Sequence, residues 1–229
     1  MSNTYDAHQK PDTTLTLAEP CQFNGLVRRT VLPGGLRVVT EALPRASTAL
    51  AIASTTGARD EGPARAGVSH ILEHLISQGT KTRTSDQIKG AWEDAGVYER
   101  AYTTHERVEF EAHGRPTDLP LMVALLSDMA TEATLEAQAL DTERGVILQE
   151  FATRRESPEP HTFQAFLAAL YGGTGLGSVV GGTTDNIQTM PHDVVVDWYR
   201  AHYQPHDLVI TATGQLDHDE LVDLVRNGF

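Results

Sequence analysis

Gly67-Val68-Ser69-His70-Ile71-Leu72-Glu73-His74-Leu75 is the stretch from which the rest of the chain is best read. It sets two histidines and a carboxylate at a spacing that apolar packing does not require. On a helix, His70 and His74 lie one turn apart on the same face, close enough to reach one ion. Glu73 follows His70 by three positions and precedes His74 by one. Its carboxylate therefore hangs beside that face, placed to take a proton from a water at the metal. Two neutral imidazoles favour zinc over calcium or magnesium. A catalytic zinc takes three protein ligands and leaves one position for water, so a third ligand must come from elsewhere. The plainer alternative is two surface histidines and a solvated glutamate.

Composition narrows the class. With 229 residues, 40% of them hydrophobic, the chain is long enough for one large domain or two small ones with a sizeable core. A net charge of -13 opposes nucleic acid and suits either a basic or unfolded peptide ligand or simply a well-solvated acidic surface. Cys21 is the single cysteine, which excludes an internal disulfide or thiolate metal cluster and points to a reducing compartment. The first two dozen residues hold no long apolar run. They carry Asp6, Asp12 and Glu19, with no arginine before Arg28, the opposite of a secretory signal or transit peptide. A cytoplasmic location is the expectation, and no stretch is apolar for long enough to span a membrane.

Residues 1–24 read as a mobile polar arm and 25–229 as one domain. Val27 to Leu32 and Leu36 to Leu43 form a β-hairpin pattern around Pro33-Gly34-Gly35. Ser47 to Thr56 is a strand candidate, Gly57 to Arg65 a polar loop, and Ala66 to Ser77 the helix that carries the histidines. Thr84 and Gln87 have the form of a capping box for a helix ending at Gly96. Tyr98 to Thr104 and Val108 to His113 alternate as strands, with Val108, Phe110 and Ala112 on one face. Leu121, Met122, Leu125, Leu126 and Met129 are a core stripe on a helix over 118–131. The next helix, about 136–155, sets Glu143 and Glu150 on one face with Val146 and Ile147, so that face is expected to be partly buried and its carboxylates partnered. Gly145 within it costs about 1 kcal/mol against alanine, which suggests a close backbone approach. Helices over 161–171, 191–202 and 217–226, a glycine-rich flexible connection over 172–182 and a strand over 208–213 complete the pattern.

Several other features carry less. The glycines between 172 and 182 lack a following Gly-Lys-Ser/Thr, and Val180 stands where a dinucleotide fingerprint needs its third glycine. His202 and His206 have ligand-like spacing, but Pro205 between them ends the helix and reads as a surface turn. His105-Glu106 reads as surface chemistry, and Ser69 points away from its neighbour His70.

Taken together, Gly57-Ala58-Arg59-Asp60-Glu61, His70-x-x-Glu73-His74, Gly79-Thr80-Lys81-x-Arg83, Ala101-Tyr102-Thr103, Glu143-Arg144-x-Val146-Ile147-x-x-Glu150 and Gly181-x-x-x-Asp185-Asn186-Ile187 resemble the amino-terminal half of the pitrilysin/insulinase zinc peptidases. The processing-peptidase branch is the nearest in pattern, and the His-x-x-Glu-His order is that of the inverted zincins. The resemblance implies an α+β fold, a mostly antiparallel sheet with helices packed on it. It implies that His70, His74 and Glu150 hold one zinc ion (Zn2+), that Glu73 is the general base, and that Glu143 orients a ligand. It also implies that the strand around Arg100, Ala101 and Tyr102 pairs with an extended peptide substrate.

This chain has Arg100 before Ala101-Tyr102-Thr103, where members of that family usually carry asparagine. Family enzymes also have a second, similarly folded half that supplies an arginine and a tyrosine to the substrate carbonyl. The expectation is therefore either a zinc metalloendopeptidase subunit completed by a separate partner subunit, as a heterodimer or a homodimer, or a fragment of such an enzyme. The rival readings are a non-catalytic scaffold and a peptide-binding subunit.

Overall fold

The computed structural model describes residues 26–229, so the arm expected over 1–24, with Cys21, lies outside the described residues. Strands Leu26–Val31 (β1) and Arg37–Ala42 (β2) form the expected hairpin. Gly34 and Gly35 make its turn at φ 87° and 92°, in the left-handed region that other residues resist. Thr48–Ser54 (β3), Tyr98–Thr103 (β4), Val108–Gly114 (β5) and Leu208–Gly214 (β6) join them in one sheet of order β1-β2-β6-β3-β5-β4 among the described residues. Every pairing is antiparallel except β2 with β6. Alternation decides the faces, since successive strand side chains point opposite ways. Val38, Leu50, Ile52, Val108, Phe110, Ala112, Leu208 and Ile210 are buried on the face that receives the helices.

The helices are Val68–Ile76 (α1), Ser85–Ala95 (α2), Leu119–Glu132 (α3), Ala137–Arg155 (α4), Pro158–Tyr171 (α5), Thr184–Thr189 (α6), His192–His202 (α7) and His218–Gly228 (α8). The chain is thus an α+β domain with a mostly antiparallel sheet. Thr84 and Gln87 close the expected capping box on α2, and Gly96 ends that helix in a left-handed turn. The core stripe on α3 is as read, with Met122, Leu125, Leu126 and Met129 buried, although Leu121 is only partly covered.

What positions the site is α1, which packs against α4, α7 and the β4 and β5 strands. Val68, Ile71, Leu72, Leu75 and Ile76 are all fully buried, and each contributes about 1.5–3 kcal/mol by transfer from water. A helix held this firmly cannot turn to hide or expose its histidines.

Four details differ from the sequence reading. Helix α5 begins at Pro158, because proline suits a first helical turn, where its missing N–H costs nothing. A short helix, α6, stands where only a connection was expected, and the Thr183 side chain accepts from the Asn186 N–H to cap it. Gly145 faces open space, with nothing for an added Cβ to meet, so no close backbone approach explains it. Val146, one residue on, is 47% exposed while Ile147 is buried, so the partly buried face of α4 runs through Ile147 alone of the two.

Candidate metal centre

Two elements bring the donors together. On α1, the His70 and His74 rings meet edge to face, with centroids 4.9 Å apart. Across the groove, α4 presents Glu150, whose Oε2 lies 3.4 Å from His70 Nε2 and 3.7 Å from His74 Nε2. One ligand atom from each of these three residues lies within 4.8 Å of the others. Glu143, two helical turns before Glu150, is buried, and its Oε2 lies 2.9 Å from His74 Nδ1. In the neutral ring that contact puts the proton on Nδ1 and turns the Nε2 lone pair toward Glu150. Two imidazoles, one carboxylate and a carboxylate behind one imidazole are a donor set that suits zinc and keeps a position for water.

The electrostatics follow from this crowding. The His70 and His74 side chains, helped by Arg154, hold the Glu150 carboxyl well below the usual carboxylate range, against the opposing effect of its burial. For His74, burial favours the neutral ring, but the Glu150 and Glu143 carboxylates outweigh it and leave the pKa raised. The cluster therefore attracts cations, either protons or a metal. Arg154 Nη2 approaches Glu150 Oε1 at 2.5 Å, so the oxygen facing the imidazoles is Oε2.

Glu73 is half-buried at the same cleft, a space of about 370 Å³ that it lines with His70, His74, Ala101, Tyr102, Thr103, Val146, Glu150, Arg154 and Val180. Thr103 Oγ1 donates to Glu73 Oε2 at 2.6 Å, which fixes one carboxylate oxygen. Strand β4 is the outermost strand on its side of the sheet among the described residues, so it offers an unpaired backbone edge next to the donors. Ala101 faces the helices, opposite Phe110. Arg100 and Tyr102 project from the other face, where the Arg100 guanidinium pairs with Glu111 at 2.5 Å and lies over the Tyr102 ring, whose hydroxyl also donates to Glu111.

The sequence reading missed two contributors. Glu61 is buried, and its carboxylate accepts from the Gly67 and Ser69 N–H groups at the start of α1. The glycine-rich segment is not a loose connection. A Cβ on Gly182 would come 2.3 Å from the Ala66 carbonyl oxygen, and one on Gly181 would come 2.7 Å from the Phe151 ring, which stacks on His70. Two adjacent glycines beside a Gly67 that opens the histidine helix were the available signal for such a backbone crossing. His202 and His206 join no cluster of metal-ligating side chains among the described residues. His202 packs on Trp198, and His206 lies exposed beside Asp207.

Comparison with known proteins fits this geometry to a family. Residues 37–184 match Insulinase (Peptidase family M16). The chain belongs to peptidase family M16. Residues 189–229 match a second description of the same family, Peptidase M16 inactive domain. An uncharacterised zinc protease of Streptomyces coelicolor is 39% identical over 217 residues, 94% of this chain and 47% of that protein. The mitochondrial-processing peptidase subunit beta of Homo sapiens is 33% identical over 202 residues, 88% of this chain and 41% of that subunit. A protease from Helicobacter pylori shares the M16 fold with a TM-score of 0.85 at 20% identity, covering 90% of this chain and 50% of that one. The chain thus spans about half the length of the curated relatives it matches. Among the described residues, no helix is long and apolar enough to cross a membrane.

Proposed function

We propose that residues 25–229 are the zinc-bearing catalytic domain of a metalloendopeptidase that hydrolyses peptides or unfolded segments. The observation that carries this reading is the meeting of His70, His74 and Glu150 within 4.8 Å, in a cleft that Glu73 also lines. His70, His74 and Glu150 would hold one zinc ion. When bound, zinc acidifies water and polarises a carbonyl. Glu73 takes a proton from the attacking water and returns it to the leaving amine. Thr103 restrains one oxygen of Glu73, which leaves the other for this exchange. Glu143 keeps the His74 ring turned so that Nε2 faces the cleft. An intact base beside the ligand cluster counts against both the scaffold reading and the peptide-holding reading.

The substrate would join the sheet as an added strand beside β4. Backbone groups around Arg100, Ala101 and Tyr102 would supply the hydrogen bonds, so the site would read main chain more than sequence. Because Glu111 already pairs with Arg100, the arginine brings little uncompensated charge to the peptide.

A second, similarly folded unit would complete the enzyme, whether as a further part of a longer chain, a different chain or a second copy, and would supply the arginine and tyrosine that family resemblance implies. The surface of α5 supports such a partner. None of its residues is buried, and Phe163, Phe166 and Leu170 stand 61%, 56% and 57% exposed. The acidic balance and lone cysteine favour a cytoplasmic setting.

The test is peptide cleavage by the chain together with its partner. Glu73→Gln should keep zinc and abolish cleavage, whereas His74→Ala should lose both. Cleavage at the wild-type rate by Glu73→Gln would remove the assigned mechanism.

A further inference from the structure

We propose that Glu61 is a positioning residue for the metal ligands: its buried carboxylate supplies the N-terminal cap that α1 lacks and thereby fixes where His70 and His74 stand. This rests on reading the cleft as a zinc site. Helix α1 opens at Gly67, which has φ 96° and no side chain to accept from the first-turn N–H groups. Gly67, Val68 and Ser69 are all buried, so water does not reach these donors. Unpaired donors in such a place are costly, and native helices find them partners.

Here the partner comes from the preceding loop. Glu61 Oε2 accepts from the Gly67 N–H at 2.6 Å and Oε1 from the Ser69 N–H at 2.8 Å. Both oxygens are thus committed, on a residue only 2% exposed, so Glu61 is not itself a ligand. The second bond ends one residue before His70.

Glu61 is in turn tied to the substrate side of the cleft. The adjoining turn docks through Ala58 N–H to Thr104 O and Arg59 N–H to His105 O, both at 3.0 Å, immediately after β4. Arg65 Nε donates to the Glu61 carbonyl at 3.1 Å. On the opposite side, Gly181 and Gly182 lie against Ala66 and Gly67 so closely that no side chain fits between. With that side closed and the apolar face of α1 held in the core, the carboxylate fixes the first turn of α1, where the chain enters from the β4 side. It therefore registers the ligand helix to the strand edge where a peptide would lie. Glutamine would keep the shape but offer one acceptor, and would turn an amide N–H toward a backbone N–H.

The experiment compares wild type, Glu61→Gln and a cap-loss control, Asp217→Ala, in the full chain at mildly alkaline pH. Asp217 Oδ1 caps α8 by accepting from both the Asp219 and Glu220 N–H groups, a carboxylate cap on a helix that contributes no cleft residue. Zinc affinity is read by competition with a chromophoric chelator, and ligand geometry by the visible spectrum of the cobalt-substituted chain. Glu61→Gln should weaken zinc by about tenfold and change the cobalt spectrum, in line with the effect of partners that orient metal ligands. Asp217→Ala should lower Tm, because it removes the accepting oxygen, and leave both readings alone.

If Glu61→Gln does not fold, Glu61→Asp keeps both oxygens but shortens their reach, and the same weakening is expected. Wild-type affinity and spectrum in the Glu61 variant would overturn the proposal. Equal weakening in Asp217→Ala would do so too, because the effect would then be general destabilisation. Absence of zinc uptake by the wild type would instead refute the zinc reading on which the proposal rests.

Discussion

Replacing Glu143 with glutamine isolates the contribution of the carboxylate behind His74. The contact to Nδ1 is 2.9 Å long, and the two side chains are 10% and 20% exposed, so solvent screens it little. Hydrogen bonds to a charged group contribute about 1.5–3 kcal/mol, against about 0.5–1.5 kcal/mol for neutral pairs. The Glu143→Gln variant retains a neutral acceptor of the same shape, so the loss is the difference between the two ranges, about 1–1.5 kcal/mol. At about 1.4 kcal/mol per factor of ten, zinc should bind about five- to tenfold more weakly. The assay is competition with a chromophoric chelator across pH. The gap should be widest where both imidazoles are neutral. It should narrow on acidification, because the same carboxylate that strengthens His74 toward zinc also strengthens it toward a proton. Unchanged affinity would refute the orienting role. Complete loss of zinc would refute it in the other direction, by making Glu143 a ligand.

Three further outcomes follow from the geometry. Zinc must displace a proton from His74, whose pKa its carboxylate neighbours raise despite burial, so apparent affinity should fall as pH drops through that raised value, by about tenfold per pH unit for each proton displaced; calorimetric titration at several pH values checks this. Burial pushes Glu61 up to about 7 from 4.5, against the opposing Gly67 and Ser69 N–H bonds. Its raised folded-state pKa means that its stability contribution is full below about 4.5 and is lost as pH rises through about 7. The stability of the zinc-free wild type relative to Glu61→Gln should therefore decline by up to about 3 kcal/mol across that window, measured by urea unfolding. Gly182→Ala would force a left-handed residue at φ 79° against the Ala66 carbonyl oxygen. A cost of about 2 kcal/mol or more is expected from the conformation and the overlap together, read as a fall in Tm; an unchanged Tm would show that the crossing yields easily.

The local rules of the chain were legible, while the long-range ones were not. Thr84, Gln87 and Gly96 mark both ends of α2 because caps act within one turn, and Val108, Phe110 and Ala112 declare the buried face of β5 by alternation alone. The His70 and His74 spacing survives translation into structure because a helix fixes which side chains are neighbours. Glu150 could be named only through its family pattern, since nothing local on α4 announces that its oxygen meets α1. The parallel pairing of β2 with β6 joins segments far apart in the chain and has no local signature. Glu61 was passed over because its partners are backbone N–H groups, which every residue but proline carries and no motif distinguishes. The glycine-rich segment was misread for a related reason. Glycine permits both mobility and close backbone contact, and only the neighbour across the gap tells which.

The most direct measurement is X-ray absorption at the zinc edge on the full chain given one equivalent of zinc, with His74→Ala beside it. The account predicts one tightly held ion with two imidazole nitrogens and a carboxylate oxygen at about 2.0–2.2 Å, and no such signal from His74→Ala. Failure of the wild type to take up the ion, or an identical spectrum from His74→Ala, would contradict the claim that α1 and α4 together form a metal centre.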